Sequence, residues 1–428
     1  MELDAIVLTG ALSRVRIAGL TASERAVRVA YRAGATRVLV VEDRAGIPAW
    51  CADRTCPLLV IRADQLVHTP LVAPLVAAIP AGGIAIAVGP DGDYAGALIA
   101  DGRGADQVIA ALAQGDSDHA IAAIATARIP HGEIARHAIA TPADRRAAHR
   151  LLYRILIKPQ DNAITRYLYR PISFPLTRLL VWTPITPNQV SYAVAALVVV
   201  GCWLTAGASL AGVTAGTAII LAASYLDCCD GEIARVKLRS SRWGAWLDTV
   251  VDELTSMGYL AALGWHCHLA YGPGFFGERA IQLRVDPWIA LLALGVAAIG
   301  WSMYCIYYNL IVVVGSANSQ DYAGSVEVVP GRAPSSVRLR PATARASAPR
   351  ELPRWLAAIA TYAPYLIRRD FIAWAALAIA VVHATHVLFG LFLLGGLVTA
   401  VIVTIDHVKL LRLRRSIVRG GQVLETAS

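Results

Sequence analysis

The sequence predicts a helical integral membrane domain of six transmembrane helices fused to an N-terminal soluble α/β domain. Three observations carry that prediction. Long apolar stretches crowd the chain after residue 188, short β-rich runs alternate with helical stretches before residue 145, and Arg and Lys gather in the connections between the long stretches. Composition agrees: 56% of the 428 residues are hydrophobic and only 16% charged, against about a quarter charged in soluble domains. A disordered polar chain is excluded. The 39 Lys and Arg outnumber 30 Asp and Glu, giving a net charge of +9. In so apolar a chain this excess reports the cytoplasmic side of a membrane protein and not a nucleic-acid partner.

Residues 1–145 form the first predicted domain, cytoplasmic and α/β. Ala5–Leu8, Arg37–Val41, Leu58–Ile61 and Ile84–Ala87 are strand-length apolar runs, and Thr21–Ala33 and Gln65–Ala78 have helical spacing. This alternation predicts βαβ units and a mostly parallel sheet. Met1–Gly10 contains acidic residues and no long apolar core, so no cleavable signal peptide is expected. The seven Cys are scattered without a framework, which fits reduced thiols. Cys51 and Cys56 lack a second pair to complete a metal site, and His266 and His268 read as an interfacial pair.

Residues 146–187 are predicted to be a linker and an interfacial helix, because Ile164–Trp182 mixes Arg, Tyr, Trp and Leu. Residues 188–412 hold the six spans, at about 189–207, 210–228, 245–269, 287–314, 371–390 and 391–408, the last two divided by a turn near Phe389-Gly390. Residues 315–350, rich in Ser, Ala, Pro and Arg, read as a flexible cytoplasmic loop, and 413–428 as a basic cytoplasmic tail. Arg235, Lys237, Arg239 and Arg242 fall between spans two and three, and the fourth-to-fifth connection and the tail are also Arg-rich. Arg279 and Arg284 run against that bias and are outnumbered. An even span count then puts both the N-terminal domain and the tail on the cytoplasmic face of a multi-pass inner-membrane protein.

The scarce acids are the most informative residues. Asp227 and Asp230 lie i, i+3 at the end of the second span, and Asp248 and Asp252 lie i, i+4 at the start of the third. Both spacings place a pair on one helical face, and the short connection makes the helices antiparallel neighbours. Carboxylates at such a depth need a reason. Four together suit hard divalent ions, Mg²⁺ or Mn²⁺ and more than one of them, and a pair of such ions is the usual clamp for displacement at phosphorus. Gly231 and Gly244 let a ligand approach the backbone, and Arg235 supplies charge for a diphosphate. The competing reading has these acids pair with nearby Arg and simply finish the helices.

The run Asp227-x2-Asp230-Gly231-x2-Ala234-Arg235-x8-Gly244-x3-Asp248-x3-Asp252 resembles, position for position, the signature of the CDP-alcohol phosphotransferase (CDP-alcohol phosphatidyltransferase) family. The resemblance covers roughly residues 150–412, including Thr186-Pro187-Asn188 before the first span. It implies transfer of a phosphoryl-alcohol or phosphatidyl group from a CDP-linked donor to an acceptor hydroxyl, with release of CMP. It further implies that Asp227, Asp230, Asp248 and Asp252 hold two Mg²⁺ or Mn²⁺ ions and that Asp252 is the general base. Asp227, Gly231, Ala234, Arg235 and Gly244 would line the CDP pocket. A homodimer is expected from the resemblance alone. Lys158, Arg170 and Arg369 are candidates for an acceptor phosphate, with membrane-surface anchoring as the other reading.

The stretch Gly19–Arg28 through Arg37–Val41 looks like part of a sugar-phosphate nucleotidyltransferase, and Arg62-Ala63-Asp64 sits where that family has a metal-binding Asp. The fusion resembles bifunctional inositol-phosphate cytidylyltransferase/phosphotransferases. The loop Thr9–Ala18 departs from the pattern, having one Gly and no Lys, so a diverged domain is expected. A transporter with an intramembrane acidic ion site is the rival class. It should show polar groups along the full depth or two related halves, whereas these acids gather at one edge.

Overall fold

The computed structural model describes residues 2–79, 81–157, 163–282, 285–315, 321–331, 336–342 and 369–425. The chain divides into two units: one is Met1–Gln160 with Pro175–Ile185 and Glu232–Arg239, the other Asp161–Phe174, Thr186–Gly231 and Ser240–Ser428.

The first unit is built on a six-stranded sheet of β1 (Leu3–Leu8), β2 (Ala35–Val41), β3 (Leu58–Arg62), β4 (Ile84–Val88), β5 (Tyr94–Ala100) and β6 (Ala127–Pro130), in the order β2-β1-β3-β5-β4-β6. Strict alternation buries both faces. Leu3, Ala5 and Val7 of β1 join Ala26, Val29 and Ala30 of helix α1 (Ala22–Arg32). Ile6 and Leu8 join Ala105, Val108 and Leu112 of α2 (Gly102–Ala113) on the other face. The helix α1 starts at a capping box, Thr21 and Glu24 each accepting the other's backbone N–H at 3.1 and 2.8 Å. Further along lie α3 (Asp118–Ala123) and α4 (Pro142–Arg154).

The sheet is mostly parallel, as the alternation predicts: five of its six strands share one direction and β5 runs antiparallel to its neighbours β3 and β4. The hairpin turns at Gly89–Asp93, where Gly92 takes φ +79°, a conformation glycine adopts without strain. Gln65–Ala78 is not one helix. Leu66–Val67 pairs with Arg136–His137, and a single turn at Thr69–Leu71 precedes a short helix at Ala73–Ala77. Pro70 and Pro74 lack the N–H a continuous helix needs and restrict the residues before them.

Helix α5 (Arg170–Leu180) follows a wide turn at Thr165–Tyr169 in the predicted interfacial segment. Beyond it come α6 (Pro187–Thr205), α7 (Leu210–Val236), α8 (Arg242–Tyr271), α9 (Pro287–Asn309), α10 (Arg369–Val381) and α11 (Thr385–Arg419). Among the described residues four helical stretches are long and apolar enough to cross a membrane: Pro187–Thr205, Leu210–Val236, Pro287–Val314 and Thr385–Arg419. The last two helices meet at 382–384, where His383 takes φ +59°, and Phe389-Gly390 lies inside α11. Phe389 is fully buried in the cluster with Leu263, Trp288 and Leu388; packing holds the helix through a glycine that propensity alone reads as a break.

The described residues of the 315–350 stretch include strands where a flexible loop is expected. These are β7 (Val326–Pro330) and β8 (Ser336–Pro341), which pair with each other, and β8 runs parallel to β9 (Val423–Glu425). Val337 and Leu339 bury themselves against Leu410 and Ile417 of α11. His266 and His268 take separate partners. The His266 ring is buried, its nitrogens 2.7 Å from the Gly207 carbonyl oxygen and 3.0 Å from Thr385 Oγ1, whereas His268 bonds Asp286 at 2.8 Å.

Candidate metal and nucleotide site

The site grows from the packing of α6, α7 and α8. Helix α6 begins with a capping box, Gln189 Oε1 accepting the Thr186 N–H at 2.9 Å, and Pro187 occupies the first turn where no N–H is needed. Val194 and Val198 of α6, Ala223 of α7 and Val251 of α8 share one buried cluster. Close approach of α6 and α7 depends on Gly201 and Gly216. A Cβ on Gly216 would lie 2.4 Å from the Gly201 carbonyl oxygen and 2.3 Å from Thr205 Oγ1.

That packing draws together Asp227, Asp230 and Asp248, each offering a carboxylate oxygen within 4.8 Å of the others. Asp230 is buried, and Ser191 of α6 donates to its Oδ2 at 2.6 Å. The donor set is all hard oxygen, the chemistry a divalent ion such as Mg²⁺ or Mn²⁺ takes. Asp252 stands one turn further along α8 and is not part of the three-carboxylate group. Gly244 lies in the first turn of α8. Its backbone N–H donates to Ser241 Oγ at 2.9 Å, and a Cβ there would come within 3.1 Å of Asn188 Oδ1. Asn188 belongs to the Thr186-Pro187-Asn188 entry noted in the sequence, whereas nothing in the sequence marks Ser191 except its position just inside the Thr186 cap.

Gly231 belongs to the second unit with the carboxylates, while Ala234 and Arg235 fall in the first unit with Glu232–Arg239. There the end of α7 is held by cations, as the unsatisfied carbonyls of a helix C-terminus favour. Arg25 donates to the Val236 carbonyl oxygen at 2.9 Å and Arg28 to that of Lys237 at 2.7 Å. Of the acceptor candidates, Arg170 is buried with its guanidinium 5.2 Å from the Phe174 ring centre. Lys158 and the Arg369 side chain lie outside the described residues.

The model of the CDP-alcohol phosphatidyltransferase family matches residues 184–401, just over half of the chain, and the matched segment contains all three clustered carboxylates. The chain belongs to this family. Several bifunctional IPC transferase and DIPP synthase proteins are similar to it. That of Thermococcus kodakarensis is 33% identical over 127 residues, 29% of this chain and 28% of its own. That of Aquifex aeolicus is 33% identical over 144 residues, 33% of this chain and 32% of its own. That of Rubrobacter xylanophilus is 34% identical over 137 residues, 32% and 31% of the two chains. Each match spans about a third or less of the curated relative's length.

Proposed function

We propose that this family member is a metal-dependent membrane phosphotransferase. It moves a phosphoryl-alcohol or phosphatidyl group from a CDP-linked donor to an acceptor hydroxyl and releases CMP, in polar-lipid or phospholipid synthesis. The observation that carries the reading is the three-carboxylate group of Asp227, Asp230 and Asp248 on the two helices of the family signature. Bound divalent ions, taken here as two, would neutralise the donor diphosphate and the leaving CMP. The protein's own part is to hold those carboxylates in register, Asp230 through Ser191, and Gly231 and Gly244 are assigned to the nucleotide pocket. Asp252, one turn from Asp248, is placed to accept the proton of the acceptor hydroxyl. Arg235 is assigned to the donor diphosphate.

In this reading the chain is divided as 1–145, a cytoplasmic nucleotidyltransferase-like domain; 146–187, a linker and interfacial helix; 188–412, six spans; and 413–428, the tail. Exposed Tyr167, Leu179 and Trp182 support an interfacial role for the second segment. The two further spans are α8, whose acids lower its hydropathy, and α10. The bifunctional relatives support an inositol-phosphate-type acceptor or donor for this chain. A homodimer, with both termini cytoplasmic, completes the proposal.

The test is CMP release by the purified protein in detergent with Mg²⁺, from CDP-diacylglycerol and from soluble CDP-alcohols, against a panel of hydroxyl acceptors. Asp252→Asn is expected to keep Mn²⁺ and CDP-donor binding while losing turnover; retained turnover would refute the base assignment. No CMP from any donor, together with ion flux in vesicles, would replace this proposal with the transporter.

A further inference from the structure

In the first unit β1 lies between β2 and β3, all three parallel, so strand order reverses at β1. The crevice beyond the carboxyl ends of β1 and β3 is the topological switch point, where open α/β sheets take their ligands. The chain after β1 is the Gly10 loop, and the chain after β3 is Arg62-Ala63-Asp64. The two touch: a Cβ on Gly10 would lie 3.3 Å from that of Asp64.

A metal–nucleotide site here needs the Asp64 carboxylate and the Gly10 N–H turned to the ligand, and both are engaged by the protein itself. Arg62 donates from two nitrogens of its guanidinium to both carboxylate oxygens of Asp64, one bond being 3.0 Å. The same guanidinium lies 3.7 Å from Asp118 Oδ2 and donates to His119 Nε2 at 2.8 Å. This forked geometry satisfies a carboxylate as fully as a protein cation can. Across the crevice the Gly10 N–H is spent on Ser13 Oγ at 2.8 Å, and Ser13 N–H returns to the Gly10 carbonyl oxygen at 3.1 Å. This turn takes the Gly10 N–H away from a phosphate nest at the start of the loop. Thus the residues do not fit the metal that the resemblance placed on Asp64.

We infer that Arg62 is the resident cation of this crevice, that the N-terminal unit therefore takes no metal–nucleoside triphosphate here, and that the CDP-linked donor is made at a different active site. The last clause rests on the proposed phosphotransferase function; the first two do not. The supplying reaction is a cytidylyl transfer. A phosphate oxygen of an alcohol phosphate bonds to the α-phosphorus of CTP, the bond from that phosphorus to the bridging oxygen breaks, and pyrophosphate leaves.

The experiment uses the full chain in detergent with Asp227→Asn and Asp230→Asn, so that Mn²⁺ seen by electron paramagnetic resonance does not come from the membrane carboxylates. With Arg62 intact, no stoichiometric Mn²⁺ is expected, with or without CTP. Adding Arg62→Gln frees Asp64 and Asp118 and is expected to create one Mn²⁺ site per chain, lost again with Asp64→Asn. Stoichiometric Mn²⁺ or CTP binding with Arg62 in place overturns the inference. So does pyrophosphate release from CTP and an alcohol phosphate by the unsubstituted protein, or a folded Arg62→Gln protein that gains no Mn²⁺. If Arg62→Gln fails to fold, as thermal melting reports, the Arg62-intact arm still decides. CMP release from preformed CDP-donors is scored separately, so failure of the phosphotransferase reading leaves the Mn²⁺ result standing.

Discussion

Ser191 gives the sharpest test of how the carboxylate site is held. Its side chain is buried, and its hydroxyl reaches Asp230 Oδ2 at 2.6 Å and the Pro187 carbonyl oxygen at 3.3 Å. One proton serves one partner at a time, and the shorter, charged acceptor wins. A hydrogen bond to a charged group contributes about 1.5–3 kcal/mol. Ser191→Ala removes that bond and leaves Asp230 free to turn away from Asp227 and Asp248. Converting at roughly 1.4 kcal/mol per decade, divalent-ion affinity should fall about 10- to 100-fold, the range typical when the group orienting a metal ligand is lost. The assay is Mn²⁺ titration by electron paramagnetic resonance, with CMP release measured against Mg²⁺ concentration. The loss should appear as a raised Mg²⁺ requirement, with kcat largely recovered at saturation, and Ser191→Thr should restore affinity. Unchanged metal affinity in Ser191→Ala would refute the claim that α6 orients the site.

Gly216→Leu should separate α6 from α7, because even a Cβ there meets backbone at 2.4 Å. The expected result is loss of both thermal stability and Mn²⁺ binding, while Gly390→Ala, which meets no neighbour within 4 Å, should leave both intact. His68 predicts an acid-sensitive N-terminal unit. Burial, then the charges of Arg25 and Arg32, lower its pKa from 6.5 to about 4. A folded state that disfavours the imidazolium keeps its full stability above pH 6.5 and loses it progressively as pH falls toward 4. The linked loss is at most about 3 kcal/mol. Hydrogen-exchange protection factors in Leu66–Ala77, taken relative to the intrinsic rate at each pH, should therefore fall between pH 6.5 and 4.5, and His68→Gln should flatten that dependence; equal pH profiles would sink the assignment.

The carboxylate group was legible in the sequence because helical spacing is a rigid ruler: Asp227 and Asp230 share a face whatever surrounds them. The core strands β1, β3 and β4 were legible because their apolar runs are buried on both sides, and the edge strand β2 from its β-branched run alone. What was not legible depends on partners distant in sequence. Strand β5 was missed although Asp91-Gly92 marks its hairpin, because its Ala- and Gly-rich run has low strand propensity and gains order from β3 and β4. The strands in 326–341 find their partner at Val423–Glu425, some eighty residues on. Ser191 is an ordinary serine until α7 is packed against it. The break at 382–384 was displaced to Phe389-Gly390 because glycine marks turns locally and tertiary packing overrode it.

The small sheet of β7, β8 and β9 carries a rule of parity for the membrane path. Strands β8 and β9 are hydrogen-bonded neighbours, so both lie on one side of any bilayer, and the chain from 342 to 422 must cross it an even number of times. Helix α11, 35 residues long and about 50 Å from end to end, is long and apolar enough for one crossing. In the proposed six-span path a second crossing accompanies it, and α10, whose 13 residues reach only about 20 Å of a ~30 Å hydrocarbon layer, is the described helix nearest to providing it. A charge introduced at Ala376 or Ala380, both buried, would therefore do more than weaken one helix. By stopping that crossing it would strand β9 on the opposite face from β8, so that a lesion in the middle of the membrane is read out as a torn sheet in water.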